Sequence, residues 1–215
     1  MTSHPKIKPI TNGPLMVTDL PNLRDADGLP MEAGDKMALC RCGLSANKPF
    51  CDGSHNGGEF SSASDTANIR NTPVTYEGAV EGTDVTVHYT PVLCSHAAEC
   101  VKASEAIFDP TRKPWVKPEQ GKMADLLAAV SNCPSGALRL EVLKTDPQHM
   151  VNGDVEVAVE RNGPYRVKNV ALDAVFNGSG ASQTKFVLCR CGHSKNKPFC
   201  DGSHRDAAWD DGSGT

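Results

Sequence analysis

Short strand-like segments open the chain, Ile7–Ile10 and Pro14–Val17, on either side of Asn12-Gly13. The same arrangement returns late, as Val155–Glu160, a turn at Asn162-Gly163, and Pro164–Val170. Between them the pattern changes. Tyr76–Thr90 alternates with period two and puts Val85, Val87 and Tyr89 on one face, as a half-buried strand does. Met123, Leu126, Leu127 and Val130 follow i, i+3, i+4, i+7 spacing, which predicts a helix with all four on its buried stripe. A short helix is expected over Cys100–Phe108, a Pro-broken loop over Asp109–Trp115, and a returning strand over Ala137–Leu143. Ser61–Thr72 is polar and aperiodic, and reads as a linker.

The most regular pattern is polar. CRCGLSANKPFCDGSH spans Cys40–His55 and CRCGHSKNKPFCDGSH spans Cys189–His204; only Leu44/His193 and Ala46/Lys195 differ. The NGP turns repeat at an offset of 150 and the cysteines at 149. Residues 5–60 and 154–208 therefore read as two copies of one β-rich unit. A linker at 61–75 and a β-α-loop-α-β module at 76–145 lie between them. The fold class expected is α+β.

Composition narrows the function. The chain has 215 residues, 39% hydrophobic and 5% aromatic, with 19 Gly and 15 Pro. So modest a core is commonly reinforced by metal. A formal charge of −4 argues against a general nucleic-acid binder. No apolar run approaches the ~20 residues of a membrane span, and Met1–Pro14 lacks the apolar centre of a secretory signal. A cytoplasmic protein is expected, or an organelle-matrix protein if the source is eukaryotic. Nine cysteines in three groups of three suit metal sites better than disulfides.

Each repeat offers C-x-C-x8-C-x3-H: Cys40, Cys42, Cys51, His55, and Cys189, Cys191, Cys200, His204. Three Cys and one His suit either tetrahedral zinc or an iron–sulfur cluster with one imidazole ligand. Zinc sites favour C-x2–4-C, whereas C-x-C holds two thiolates close enough for one iron of a cluster. Asp52 and Asp201 are expected to cap a helix that presents Cys and His on one face.

These residues resemble the CDGSH iron–sulfur domain of the mitoNEET type, C-x-C-x2-[ST]-x3-P-x-C-D-G-[STA]-H. Cys40, Cys42, Ser45, Pro49, Cys51, Asp52, Gly53, Ser54 and His55 match it throughout, as do Cys189, Cys191, Ser194, Pro198, Cys200, Asp201, Gly202, Ser203 and His204. The resemblance implies a 2Fe–2S cluster on each Cys3His set. Many members are strand-exchanged homodimers of one motif per chain, so two motifs here imply an intramolecular pseudo-dimer, a monomer with internal pseudo-twofold symmetry. A His ligand in place of Cys leaves less negative charge on the cluster, which implies a raised, pH-dependent potential.

In the middle module, Cys94, Cys100 and Cys133-Pro134 resemble a single-cluster bacterial ferredoxin with Ala97 in the second cysteine's place. More closely, CSHAAECVKASEAIFDPTRKPW and NCPSGAL are similar to the divergent 4Fe–4S mono-cluster domains, over Tyr76–Leu143. Three thiolates imply a 3Fe–4S cluster; the alternative is 4Fe–4S, with His96 or solvent on the fourth iron.

Other residues receive ordinary readings. The side chains of Arg41, Arg190, Lys48 and Lys197 are expected to face solvent, His193 to be a tolerated surface change, and Trp115 to pack under the middle cluster. His4, His88 and His149 receive no role. No nucleophile–base pair or phosphate loop appears, so no enzyme activity is expected. The leading function is one-electron transfer with redox partner proteins. The alternatives are a cluster carrier or pH sensor serving apo-proteins, and a zinc-stabilised interaction module.

Overall fold

The computed structural model describes residues 4–32, 34–58 and 60–212; the leader reading falls partly on residues 1–3, outside them. The chain forms two compact units. One comprises Met1–Asn68, Gly153–Val175 and Gln183–Thr215; the other comprises Ile69–Asn152 and Phe176–Ser182. Among the described residues no helix is long and apolar enough to cross a membrane.

The first unit holds both repeats. In the first copy, β1 (Lys6–Pro9), β2 (Leu15–Thr18), β3 (Leu23–Arg24), β4 (Pro30–Met31) and β5 (Lys36–Leu39) are short strands whose alternation buries Ile7, Leu15, Val17, Met37 and Leu39. Asn12 takes φ +50 at the tip of the β1–β2 turn, a conformation Asn tolerates well. Ile10 N then donates to Pro14 O at 2.9 Å, and Asn162 with Glu160 and Pro164 repeats the arrangement.

In the second unit, β6 (Val74–Val80), β7 (Thr83–Tyr89) and β8 (Leu138–Val142) make an antiparallel sheet in that order. Helices α1 (Glu99–Ala103) and α2 (Met123–Asn132) accompany it. Val85, Val87 and Leu140 share one core with Leu126, Ala129 and Val130 of α2. The buried stripe departs from the expectation: Leu127 is 39% exposed, and Ala129 takes the inward position. α1 ends at Ala103, short of Phe108, because Ser104 turns to extended backbone.

The strands of the second copy complete the first unit: β9 (Glu156–Val159), β10 (Tyr165–Lys168), β11 (Ala171–Leu172) and β12 (Lys185–Leu188). The two copies exchange strands. One sheet runs β11-β1-β2-β5 and the other β12-β10-β9-β3-β4. β11 pairs parallel to β1 with Ile7 opposite Leu172, and β3 pairs parallel to β9 with Leu23 opposite Val157. Position for position these are the same contact seen twice, the geometry of an intramolecular pseudo-dimer.

Residues 61–68, read as part of a linker, bond to the first unit: Ser62 bonds Asn12, Ser64 Oγ donates to Lys197 O at 2.6 Å, and Asp65 N donates to Lys195 O at 2.7 Å. The span 154–208 is not contiguous in space. Phe176–Ser182 leaves it for the second unit, where Ser179 N donates to Asn71 O at 2.7 Å.

Candidate metal centres

Each CDGSH loop is a closed hairpin. Cys40 N donates to Pro49 O and Cys51 N to Ala38 O, both at 2.8 Å; Cys189 to Pro198 and Cys200 to Val187 repeat this at 2.8 and 3.1 Å. Within the loop, Ser45 Oγ donates to Phe50 O at 2.7 Å and accepts from Asn47 N at 3.0 Å, and Ser194 does the same with Phe199 and Asn196. Lys48 and Lys197 fold back onto their own loops, each Nζ donating to the carbonyl of Ser45 or Ser194 at 2.7 and 2.6 Å.

The aspartates do not cap as expected. The cap positions are Gly53 and Gly202, at φ +90 and +91, and they precede a single 3-10 turn (Ser54–Asn56) and α3 (Ser203–Asp206). Asp52 ties two parts of the loop together: one oxygen accepts from Ser54 N and Oγ, the other from Ala46 N. These bonds, the Ser54 hydroxyl foremost, hold its carboxyl well below the usual range. Asp201 makes the same bonds to Ser203 and Lys195. Burial opposes its ionisation, but the bonds prevail and its pKa is lowered.

The donor atoms stand in pairs. Cys40 and Cys42 sulfurs are 3.6 Å apart, and Cys51 Sγ is 3.4 Å from His55 Nδ1. The second copy gives 3.7 Å for Cys189–Cys191 and 3.5 Å for Cys200–His204. Two thiolates sharing one tetrahedral metal with bonds of about 2.3 Å lie about 3.8 Å apart, so each pair suits one metal. Among the described residues no three His, Cys, Asp or Glu side chains gather around one ion. Each loop presents its four candidate donors as two pairs, each spaced for a shared metal. In both histidines Nδ1 faces the cysteine, which leaves Nε2 to hold a proton.

Burial also governs the thiols. It pushes the Cys42 thiol up to about 11 and Cys200 to about 12. Cys189 falls to about 7 because the Cys191 thiol hydrogen-bonds its thiolate, and Cys191 is raised in return. Clustered buried thiolates need a compensating cation. Backbone N–H groups already face the sulfurs: Leu44 to Cys42 at 3.5 Å, His193 to Cys191 at 3.4 Å and Gly202 to Cys200 at 3.4 Å. Burial, then Arg205, lowers the pKa of His204 and favours the neutral imidazole that ligates.

The two loops meet. Cys42 and Cys191 form an antiparallel bridge. A Cβ on Gly43 would come within 2.6 Å of Cys191 O, and one on Gly192 within 2.5 Å of Cys42 O, so each C-x-C is followed by glycine. Arg41 and Arg190 contradict the solvent-facing expectation, being 3% and 4% exposed. Arg41 Nη2 donates to Ile10 O at 2.6 Å and its Nε to Gly13 O; Arg190 Nη1 donates to Glu160 O at 2.7 Å and Gly163 O at 3.2 Å. The arginine between the paired cysteines therefore grips the NGP turn, which is why turn and cysteines repeat together.

Several contributors were missed in the sequence. Tyr165 Oη lies 2.7 Å from Cys40 O and 2.9 Å from Pro49 O, to which it can donate, where the first copy has Leu15. Asp211 pairs with Arg190 at 3.1 Å, with both side chains buried. Trp209 stacks on Arg190 at 5.2 Å, as Phe60 stacks on Arg41 at 5.5 Å. The available signal was an aromatic residue five positions after each ligand histidine.

In the second unit Cys94, Cys100 and Cys133 line one cavity with Ala97, Tyr89, Trp115 and Pro134. Burial, then Cys133 and Cys94, raises the Cys100 thiol to about 11. Trp115 meets Tyr89 edge-on at 5.0 Å and Tyr76 at 6.1 Å. His96 is exposed and lies outside that lining; its backbone N–H donates to Cys94 Sγ at 3.4 Å. His193 is exposed, and His88 pairs with Glu141 at 2.8 Å.

Comparison with known proteins adds an independent finding. A family model described as iron-binding zinc finger, CDGSH type, matches residues 12–56 and again 149–205. A model described as divergent 4Fe-4S mono-cluster matches residues 80–142. The chain is 33% identical over 58 residues to the uncharacterized protein YjdI of Escherichia coli (strain K12), covering 27% of this chain and 76% of YjdI. YjdI of Escherichia coli O157:H7 matches to the same extent. No solved structure matches.

Proposed function

From a chain that belongs to the CDGSH-type iron-binding family and carries a divergent 4Fe–4S mono-cluster domain between its two CDGSH copies, we infer a one-electron carrier. It is an iron–sulfur protein. Cys40, Cys42, Cys51 and His55 hold one 2Fe–2S cluster, and Cys189, Cys191, Cys200 and His204 hold a second. Cys94, Cys100 and Cys133 hold a 3Fe–4S cluster, with 4Fe–4S as the alternative.

The observation that carries this reading is the division of each CDGSH donor set into two pairs, 3.4–3.7 Å within each pair. When bound, the clusters supply reversible one-electron chemistry. The residues around them keep the ligand geometry fixed between redox states. Asp52 and Asp201 brace each loop, Arg41 and Arg190 fasten it to its turn, and N–H groups from Leu44, His193 and Gly202 offset charge added at sulfur. The bridge between Cys42 and Cys191 sets the two ligand loops in backbone contact, a short path between sites.

Nε2 of each histidine, turned away from its cysteine, holds a proton that added negative charge retains and its withdrawal releases more readily. We assign no catalytic residue; the partners are redox proteins, and the chain acts as a monomer with internal pseudo-twofold symmetry. A redox titration followed by visible absorption and EPR tests this reading. Reversible one-electron steps without loss of iron support it; irreversible bleaching on the first reduction contradicts it.

A further inference from the structure

We propose that the first CDGSH site is the exchangeable one, giving its cluster to an acceptor's thiolates while the second site retains its own. This rests on the 2Fe–2S reading above. It goes beyond that reading by assigning the two sequence-equivalent sites different roles.

The sites differ in cover. In the second copy Cys189, Cys191, Cys200 and His204 are at most 5% exposed, so all four candidate donors are enclosed. In the first copy Cys40 and Cys42 are buried, but Cys51 and His55 are only half-buried. An incoming thiolate can therefore reach the Cys51–His55 iron and cannot reach its counterpart as easily. That iron also carries the one neutral ligand, which leaves without taking charge with it.

The cause lies in the residues after each histidine. Behind His204, Arg205-Asp206 continue α3, and Trp209 N donates to His204 O at 2.9 Å. Trp209 lies on Arg190, and Asp211 pairs with Arg190; Asp211 Oδ2 accepts from Asn162 N at 3.1 Å and Asp211 N donates to Asn162 Oδ1 at 2.9 Å. That segment is pinned at three points. Ser64 and Asp65 also bond the carbonyls of Lys197 and Lys195 in the same loop. Behind His55 a single 3-10 turn ends in Gly57-Gly58, where the second copy has Asp206-Ala207. The nearest atom facing Gly58 comes from the side chain of Leu44, itself 54% exposed. Ser62, at the place of Asp211, repeats this reciprocal N–H-to-side-chain pairing with Asn12 but brings no charge to Arg41. Among the described residues no carboxylate pairs with Arg41 as Asp211 pairs with Arg190.

The exchange balances without an oxidant or reductant. Each step forms one Fe–S bond to the acceptor and breaks one bond to His55, Cys51, Cys42 or Cys40. Of four protons given up by a four-cysteine acceptor, three go to the freed cysteines and the fourth to His55 or water. The cluster keeps its charge.

The test uses the holo protein and a plant-type apo-ferredoxin, with transfer read by circular dichroism of the ferredoxin and by iron and sulfide remaining on the chain. One 2Fe–2S equivalent per chain leaves at least ten times faster than the second. The combined variant Asn56→Arg, Gly57→Asp, Gly58→Ala writes the second copy's sequence behind His55 and slows the fast phase at least threefold. Asp211→Asn, which removes the buried ion pair, speeds the slow phase instead. Two clusters leaving at one rate, or a fast phase that answers to Asp211→Asn and not to the triple variant, overturns the proposal. Protein that carries no 2Fe–2S cluster before acceptor is added overturns the cluster reading itself.

Discussion

Arg41 Nε donates to the carbonyl of Gly13 at 2.7 Å, so the residue between the first two ligands is fastened to a turn 28 positions upstream. Charge-assisted bonds of this kind are worth about 1.5–3 kcal/mol each, and their loss takes the guanidinium donor from the buried Gly13 carbonyl. Arg41→Ala should therefore destabilise the first unit by about 3 kcal/mol, and Arg41→Lys should restore little because one ammonium cannot serve both carbonyls. Arg190→Ala should cost more, about 3–5 kcal/mol, because it strands the buried Asp211. Thermal melts followed by circular dichroism decide this; equal losses at the two positions would contradict it.

Much of the candidate site was legible in the sequence because its residues are local. Cys51 and His55 stand four apart on either side of Gly53, and Cys40 and Cys42 two apart beyond a strand end. The NGP repeat was visible as well, but its reason was not. It depends on Arg41 and Arg190 turning inward, and nothing in residue type separates a buried arginine that serves carbonyls from a solvated one. Tyr165 and Asp211 were hidden for a related cause: their partners lie 125 and 21 positions away and belong to the places where the copies differ. The departure of Phe176–Ser182 to the second unit carried no periodic signal at all.

Loading the sites should release protons. Cys42 at about 11, Cys100 at about 11 and Cys200 at about 12 are thiols at pH 7, yet they bind metal as thiolates. For an acid whose folded pKa is raised, the stability it contributes is complete below the unfolded value of about 8.5 and is lost as pH climbs through the folded value. Cluster-free protein should thus weaken between about pH 8.5 and 11, and Cys100→Ser should remove part of that slope. Calorimetry of metal loading in buffers of different ionisation enthalpy reads the release; fewer than one proton per raised thiol would contradict it.

Ala97 lines the cavity of Cys94, Cys100 and Cys133, whereas His96 does not. Ala97→Cys should supply a fourth thiolate and raise the iron of that module from three to four, with loss of the oxidised three-iron EPR signal. His96→Ala should leave the iron count unchanged. A loss of iron on His96→Ala would show that the imidazole is a ligand after all.

His55→Cys and His204→Cys each add a negative ligand and remove a protonatable Nε2. Both should lower the potential of their own cluster and flatten its pH dependence. Potentiometric titrations at several pH values measure this. A pH-independent potential in the unmutated protein would remove the role given to the histidines.

The most direct measurement is the iron, sulfide and zinc content of anaerobically purified protein, read together with EPR of the oxidised and reduced forms. The account predicts a coloured protein with about seven irons and eight sulfides per chain and no zinc, from two 2Fe–2S clusters and one 3Fe–4S cluster. A colourless protein with zinc at the CDGSH sites and no sulfide would contradict it.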